Sequence, residues 1–265
     1  MRSTTSVNPR RVRVRSGLLV MAFGLVTATT FANPAQERKS MNPVPSAAPS
    51  VSETLTARQQ AFVPIAAFDA AGDMTGLNTA LNQGLDARLT VSDAREILVQ
   101  LYAYAGFPRS LNALGELMKV LEERKQRGLQ DPAGSAPSRA VPKGDALLAA
   151  GTANQTKLAG GPVAGPLFDF APTANEYLRT HLFGDIFERD NLDWQSRELA
   201  TVGMLSALPG AESQLQAHMR ISMNVGLTAG QLRQLTQVLD ERVNADAARR
   251  AREALQRHLA PKAGD

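Results

Sequence analysis

Three histidines are the residues of this chain most suited to proton transfer near neutral pH, because the sequence contains no cysteine. His218 lies on a predicted helix face that is otherwise mostly apolar and is shared by Ala211, Leu215, Ser222 and Val225. An imidazole on such a face is either a hydrogen-bonded core residue or a general acid or base. Nothing convergent surrounds His181 and His258, so we interpret both as surface or packing residues.

Two carboxylates are candidates to accompany His218. Glu198 lies in the run Arg197-Glu198-Leu199, where it is either a buried carboxylate near the site or an exposed acid in the first turn of a helix. Glu96 begins a polar stripe that continues with Gln100 and Tyr104, at i, i+4 and i+8 of another predicted helix. That stripe is either a solvated face or the polar lining of a site.

Several residue types and motifs that the sequence lacks exclude particular kinds of active site. Without cysteine, a thiol redox centre is excluded. The sequence has no metal-binding spacing such as H-E-x-x-H, no nucleophile elbow and no glycine-rich phosphate loop. We therefore expect neither a metal nor another cofactor.

An internal repeat predicts the elements that position these residues. The stretch from Ser196 to Thr228 is typical of two amphipathic helices joined at Pro209-Gly210. A weaker copy occurs 138 residues earlier, from Ala57 to Thr90, and the shift places Gly72 on Gly210 and Leu89 on Leu227. Such a repeat predicts two tandem helical units packed together.

Helix signals continue beyond each copy. Thr90 with Asp93, and Thr228 with Gln231, have the spacing of an N-terminal capping box. The first pair precedes a buried stripe formed by Ala94, Ile97, Leu98, Leu101 and Ala105. No run alternates with period two for long enough to indicate a sheet, so the predicted fold class is all-α.

Composition divides the chain into five segments. Residues 1–32 resemble a secretory leader, with a basic start, an apolar run over Gly17–Val26 and small residues up to Ala32. A retained membrane anchor is the alternative, but the run is shorter than the roughly 20 residues that a bilayer requires. Residues 33–53 are predicted to be a flexible tether, 54–128 the first repeat, 129–172 a Gly/Pro-rich linker or covering segment, and 173–260 the second repeat. The expected location is the periplasm or the outside of the cell.

The net charge of +4 does not indicate nucleic-acid binding. Five of the 29 basic residues lie within the first 32 residues, which contain no acid, so the remaining chain is close to neutral. No basic patch interleaved with aromatic residues remains to follow a phosphate backbone. We expect no nucleic-acid partner, and no membrane partner once the leader has been removed.

The motifs resemble the carboxymuconolactone decarboxylase family, which includes the alkylhydroperoxidase D-like proteins. In the second repeat the resemblance rests on Arg197-Glu198-Leu199, on Leu215-x-x-His218 and on Asn224-x-Gly226-Leu227-Thr228. In the first repeat it rests on Leu89-Thr90 and on Glu96-x-x-x-Gln100-x-x-x-Tyr104-x-Gly106-Phe107-Pro108. It implies an all-helical fold that assembles as a homo-oligomer, such as a trimer of tandem repeats, with sites near subunit or repeat contacts.

Each repeat keeps only part of the family pattern. His218 matches the family's histidine, whereas the first repeat has Ala80 at that position, and the second repeat lacks the Tyr-x-Gly-Phe-Pro segment. We therefore expect one composite site, with His218 facing Glu96, Gln100 or Tyr104 across the repeat interface. The cysteine-dependent peroxidase branch is excluded, and the cofactor-free decarboxylase branch remains.

The resemblance implies decarboxylation or isomerisation of a small carboxylated lactone or related acid. In that reading His218 is the catalytic acid, Glu96 or Glu198 orients it, and Gln100 and Tyr104 bind the substrate. The alternative is a non-catalytic oligomeric protein that binds a small molecule with the same fold.

Overall fold

The computed structural model describes residues 52–260 of the chain. This range is built of helices and connecting segments and contains no strand, which confirms the predicted all-α class. Within it, no helix has the length and apolarity needed to cross a bilayer. The predicted leader and nearly all of the predicted tether lie outside the described residues.

Five helices make up the first part of the described chain. They are α1 (Ala57–Ala71), α2 (Met74–Asp86), α3 (Val91–Gln100), the single turn α4 (Tyr102–Ala105) and α5 (Phe107–Gln126). Thr90 caps α3 as predicted: its hydroxyl accepts the Asp93 amide N–H at 3.0 Å, and the Asp93 carboxylate accepts the Thr90 N–H at 2.9 Å. Gly106 ends α4 with a φ of 84°, a left-handed value that favours glycine.

The segment predicted to be a linker contains helices of its own. They are α6 (Asp145–Ala159) and α7 (Pro166–Phe170). The predicted second repeat then begins with α8 (Pro172–Tyr177) and a π-helix over Leu178–Ile186. Gly151 of α6 touches the π-helix so closely that a Cβ there would lie 1.9 Å from the Arg179 carbonyl oxygen. A second apolar cluster lies between these elements and the helix Glu212–Asn224, and it is formed by Leu158, Leu182, Phe183, Ile186, Phe187 and Ile221. This segment is therefore part of the packed structure.

Four longer helices complete the chain. They are α9 (Trp194–Ala207), α10 (Glu212–Asn224), α11 (Ala229–Arg242) and α12 (Ala245–Leu259). Asp193 caps α9 by accepting the Ser196 N–H at 2.8 Å. Thr228 and Gln231 form the predicted capping box of α11.

The two halves match at the predicted offset of 138 residues. Shifting α2 by this offset reproduces the bounds of α10, and shifting the start of α3 reproduces the start of α11. Thr90 and Thr228 share the same backbone angles, φ −84° and ψ 161°. These matches are consistent with two tandem repeats.

The main core lies along α1 and α9, which the same offset relates to each other. Both helices are buried around most of their circumference. Gly203 of α9 allows the two backbones to approach, because a Cβ there would lie 2.7 Å from the Val63 carbonyl oxygen of α1. The two halves therefore share one core.

Candidate functional site

A buried histidine–carboxylate pair joins α9 and α10. Nδ1 of His218 lies 2.8 Å from Oε2 of Glu198. The Glu198 residue is completely buried and His218 is 7% exposed. With Glu198 as the acceptor, Nδ1 carries the hydrogen of this bond and Nε2 is the nitrogen on the other side of the ring.

Tyr104 of α4 lies next to this pair. Its ring packs edge-on against the His218 imidazole, with centroids 5.9 Å apart and an interplanar angle of 73°. Burial raises the pKa of the Tyr104 phenol, and the nearby negative charge of Glu198 raises it further. The phenol therefore stays protonated and is able to donate a hydrogen bond.

Gln100 and Thr201 support Tyr104 from behind. The Gln100 amide donates to the Thr201 hydroxyl at 2.8 Å and to the Arg197 carbonyl at 3.1 Å. Thr201 donates its own hydrogen to the Arg197 carbonyl at 2.9 Å, while the Tyr104 hydroxyl lies 3.4 Å away. The single hydrogen of Thr201 faces both acceptors, and because Thr201 is the donor in its contact with Tyr104, the Tyr104 O–H is left for another acceptor.

Glu96 belongs to an ion-pair cluster and does not contact the imidazole. It accepts hydrogen bonds from Arg189 at 2.6 and 2.9 Å, from Arg197 at 3.1 Å and from Asn191 at 3.0 Å. Burial would raise the pKa of Glu96, but the hydrogen bonds from Arg189 and Asn191 and the charge of Arg197 outweigh it and lower the pKa to about 2. Glu96 is therefore a permanent anion, and Glu198 is the carboxylate that orients His218.

Arg197 connects the ion-pair cluster to the residues behind Tyr104. Its side chain is completely inaccessible to solvent. Besides Glu96, its guanidinium donates to the Gln100 side chain at 3.2 Å and to the Arg189 carbonyl at 2.9 Å. A continuous chain of contacts thus runs from Glu96 through Arg197, Gln100 and Thr201 to Tyr104 and the imidazole.

The structure brings the five predicted site residues into one region, with different contacts for each. Glu198 and Tyr104 adjoin His218, whereas Gln100 acts through Thr201 and Glu96 through Arg197. The sequence analysis missed Arg189, Asn191, Arg197 and Thr201. Arg197 stood in a motif that we quoted, and Thr201 follows it by one helical turn, so their common helix face was the available signal. His181 is exposed on the π-helix, 3.1 Å from Asp185, and His258 lies on α12.

The Glu198–His218 pair lies apart from the cleft beside α9. Among residues 52–260, no group of three or more His, Asp or Glu side chains is placed to hold a metal ion. A cleft of about 450 Å³ opens near the start of α9, but its lining is Lys157, Asp193, Trp194, Gln195, Asn224 and Val225, without His218.

A comparison with known families identifies the second half of the chain. The model of the carboxymuconolactone decarboxylase family matches residues 172–257. This part of the chain is therefore similar to that family. The match includes both Glu198 and His218, while Glu96, Gln100 and Tyr104 lie outside it. A search of curated proteins returns no match.

The matched residues 172–257 contain no redox cysteine, because the whole sequence has none. Thiol-based peroxide chemistry is therefore excluded on composition. The matched segment carries the Glu198–His218 pair, and α4 of the first half brings a phenol to it.

Proposed function

We propose that the chain is an exported, cofactor-independent enzyme that uses acid–base chemistry on a small carboxylated lactone or related acid. The reaction is a decarboxylation or an isomerisation. The observation that carries the proposal is the buried Glu198–His218 pair at 2.8 Å, with the protonated phenol of Tyr104 against the same imidazole. A histidine that a carboxylate orients from one side is arranged for proton transfer on the other.

In the decarboxylation, the bond between the substrate carboxylate and its neighbouring carbon breaks and carbon dioxide leaves. The electron pair of that bond moves into a dienolate. The protonated Nε2 of His218 then gives its proton to the dienolate carbon, and the neutral imidazole regains a proton from water. Glu198 stabilises the imidazolium through Nδ1.

Tyr104 supports the same step from the oxygen side of the dienolate. Negative charge builds on that oxygen as carbon dioxide leaves, and a hydrogen-bond donor held in a site with little water stabilises it. The phenol remains a donor because its pKa is raised, first by burial and then by Glu198. Gln100 and Thr201 hold the phenol in place without using its hydrogen.

The proposal predicts a specific loss of turnover in His218 variants. Small lactone and keto acids are screened for release of carbon dioxide or for loss of ultraviolet absorbance. On an accepted substrate, His218→Ala and Glu198→Gln lower kcat by about 10²- to 10⁴-fold, the usual contribution of a general acid. Tyr104→Phe lowers it by about 10²-fold, as expected for the loss of one oxyanion donor.

The exposed histidine provides the matched control, because His181→Ala removes the same group away from the pair and leaves turnover unchanged. Turnover that survives His218→Ala contradicts the catalytic assignment. Tight binding of a lactone acid without any turnover supports the alternative, a non-catalytic binding protein with the same fold.

Export is the second part of the proposal. The leader-like residues 1–32 support it, with their basic start and apolar run. Mass spectrometry of the chain recovered from a periplasmic fraction is expected to find an N-terminus at Asn33. Recovery of uncleaved chain from the cytoplasm contradicts export while leaving the His218 chemistry intact.

A further inference from the structure

Ser222 is a buried serine of α10 whose hydroxyl has no hydrogen-bond partner among residues 52–260. A buried serine inside a helix often donates to the carbonyl one turn before it, as Ser206 does to Val202 at 2.6 Å. Ser222 makes no such bond to the His218 carbonyl, so its hydrogen is left for another acceptor. The other buried serines and threonines of the described chain all donate their hydroxyl hydrogen, and they are Ser92, Ser110, Ser196, Thr201, Ser206 and Thr236.

Oε1 of Glu198 is a buried acceptor that also has no partner among the described residues. Glu198 is completely buried, and its other oxygen, Oε2, binds Nδ1 of His218. A buried polar atom without a hydrogen bond is destabilising, and folded proteins contain few of them. The two helices α9 and α10 therefore hold one unused acceptor and one unused donor.

The packing of α9 against α10 places Ser222 beside Glu198. Glu198 meets His218, and three residues earlier on α9 the Gln195 amide donates to the Val225 carbonyl at 3.0 Å. Moving backward along α9 therefore corresponds to moving forward along α10. Ser222 lies between His218 and Val225 on one face of α10, since the three are at i, i+4 and i+7. It thus faces the stretch of α9 from Gln195 to Glu198.

The other ionisable groups around the pair have different contacts. None of them donates to Oε1 of Glu198. They are Tyr104 in α4, which lies against the imidazole, Arg197 in α9, which pairs with Glu96, Lys157 in α6, which lies over the Trp194 ring, and Arg250 in α12, which donates to the Ser206 carbonyl. Ser222 is therefore the unused donor within the interface between α9 and α10.

We propose that Ser222 is a positioning residue, which donates a hydrogen bond to Oε1 of Glu198 while the His218 ring is neutral. The proposal rests on the acid–base function of the pair. While both ring nitrogens carry a proton, the charge of the imidazolium matches the carboxylate through Nδ1. Once Nε2 has given its proton away, the buried carboxylate faces a neutral ring, and a second donor keeps it ionised. Rotation about χ1, which has three preferred positions, moves the serine hydroxyl to and from Oε1.

The first test follows this rotation by NMR in the wild-type chain, without any substrate. Three-bond couplings to the β-hydrogens of Ser222 report χ1, and the ring-nitrogen shifts of His218 report the charge of the imidazole. As pH is raised and the ring becomes neutral, Ser222 is expected to change from one χ1 position to another. A χ1 that stays the same throughout this titration overturns the proposal.

The second test removes the hydroxyl. In Ser222→Ala the carboxylate keeps Nδ1–H as its only donor, so the Nδ1 proton resonance of the neutral ring is expected to move downfield. Ser222→Cys is expected to show the same shift, because a thiol of similar size is a weak donor, whereas Ser222→Thr keeps the hydroxyl and the wild-type resonance. Ser206→Ala is the control and leaves the resonance unchanged, since that hydroxyl bonds within its own helix. A resonance that neither Ser222→Ala nor Ser222→Cys moves overturns the proposal.

Turnover separates this proposal from the proposed function. On an accepted substrate, Ser222→Ala is expected to lower kcat about tenfold, the usual value of one hydrogen bond to a charged group, and Ser222→Thr to restore it. If wild type turns over no acid but both NMR signals change as expected, the contact of Ser222 with Glu198 stands and the proposed function fails. If wild type is active and neither signal changes, the function stands and the role of Ser222 fails.

Discussion

Glu96 and Glu198 are both buried carboxylates, and their neighbours give them different roles. Glu96 has two arginines and an asparagine within hydrogen-bonding distance, so its charge is matched. Glu198 has one polar partner, the imidazole, and its second oxygen has none. Glu198, which has an oxygen without a partner, is therefore the carboxylate whose hydrogen bonding can change when a ligand or a proton reaches His218.

Asp69 is a third buried acid, located in α1 away from the proposed chemistry. It is fully buried, and neither carboxylate oxygen has a hydrogen-bond partner. Burial raises its pKa to about 8, although the charge of Arg109 works in the opposite direction. The folded chain thus keeps the Asp69 proton up to about pH 8, whereas the unfolded chain releases it near the ordinary value of 3.8.

This difference predicts how stability depends on pH. Between about pH 4 and pH 8 the folded state binds the proton and the unfolded state does not, so the contribution of Asp69 to the free energy of unfolding falls as pH rises. Asp69→Asn removes the decline, and its stability relative to wild type increases across this range by up to about 5 kcal/mol. Urea unfolding at pH 5 and pH 8.5 measures the change.

The control for this prediction is Asp246→Asn, which removes an acid whose side chain is 77% exposed. It is expected to leave the difference between the two pH values as in wild type. An Asp69→Asn variant with the same pH dependence as wild type shows that the folded chain does not retain this proton.

Among the elements that the sequence analysis did not find, α6 is the longest. Its buried residues are Leu147, Gly151, Gln155 and Leu158, which do have helical spacing. Gly151 and Gln155 do not contribute to a hydrophobic period. Glycine is required at 151 because α6 lies in close contact with the π-helix there. Composition thus indicated a loop where packing imposes a helix. By contrast, the caps at Thr90 and Thr228 were predictable, because their partners lie three residues away.

The close contact between Gly151 and the π-helix predicts how an added methyl group at this position affects stability. Gly151→Ala places a Cβ against the Arg179 carbonyl oxygen, so α6 must shift away from the π-helix. The clash is expected to outweigh the better helix propensity of alanine and to cost about 1–3 kcal/mol of unfolding free energy. Hydrogen exchange should show faster opening of α6. Gly161→Ala is the control, since nothing lies within 4 Å of its Cβ position.

At the scale of the whole molecule, the ion pair between Glu96 of α3 and Arg197 of α9 links the two halves. The two residues are about 100 positions apart in sequence, and Arg197 is completely buried. Sequence patterns predicted the helices on which both lie, because helical periodicity is local. They did not predict the pair, since the contact depends on how α3 docks beside α9.

A double-mutant cycle measures this coupling. Glu96→Gln alone leaves a buried guanidinium without its anion and is expected to cost about 3–5 kcal/mol. Glu96→Gln combined with Arg197→Met is expected to cost less than the sum of the single changes, with a coupling of about 1–3 kcal/mol. The exposed pair Asp246–Arg249 serves as the control and is expected to show no measurable coupling. If the effects of Glu96→Gln and Arg197→Met on the unfolding free energy are additive, the two side chains do not stabilise the contact between the halves.

The division of the ion-pair cluster between the halves also makes each half selective for the other. A cut between α5 and α6 leaves Glu96 in one fragment and its two hydrogen-bond donors, Arg189 and Arg197, in the other. Neither fragment matches a copy of itself, because like charges then meet in a site without water. Such a cut separates Glu96 from Arg189 and Arg197, and it separates Tyr104 from the Glu198–His218 pair.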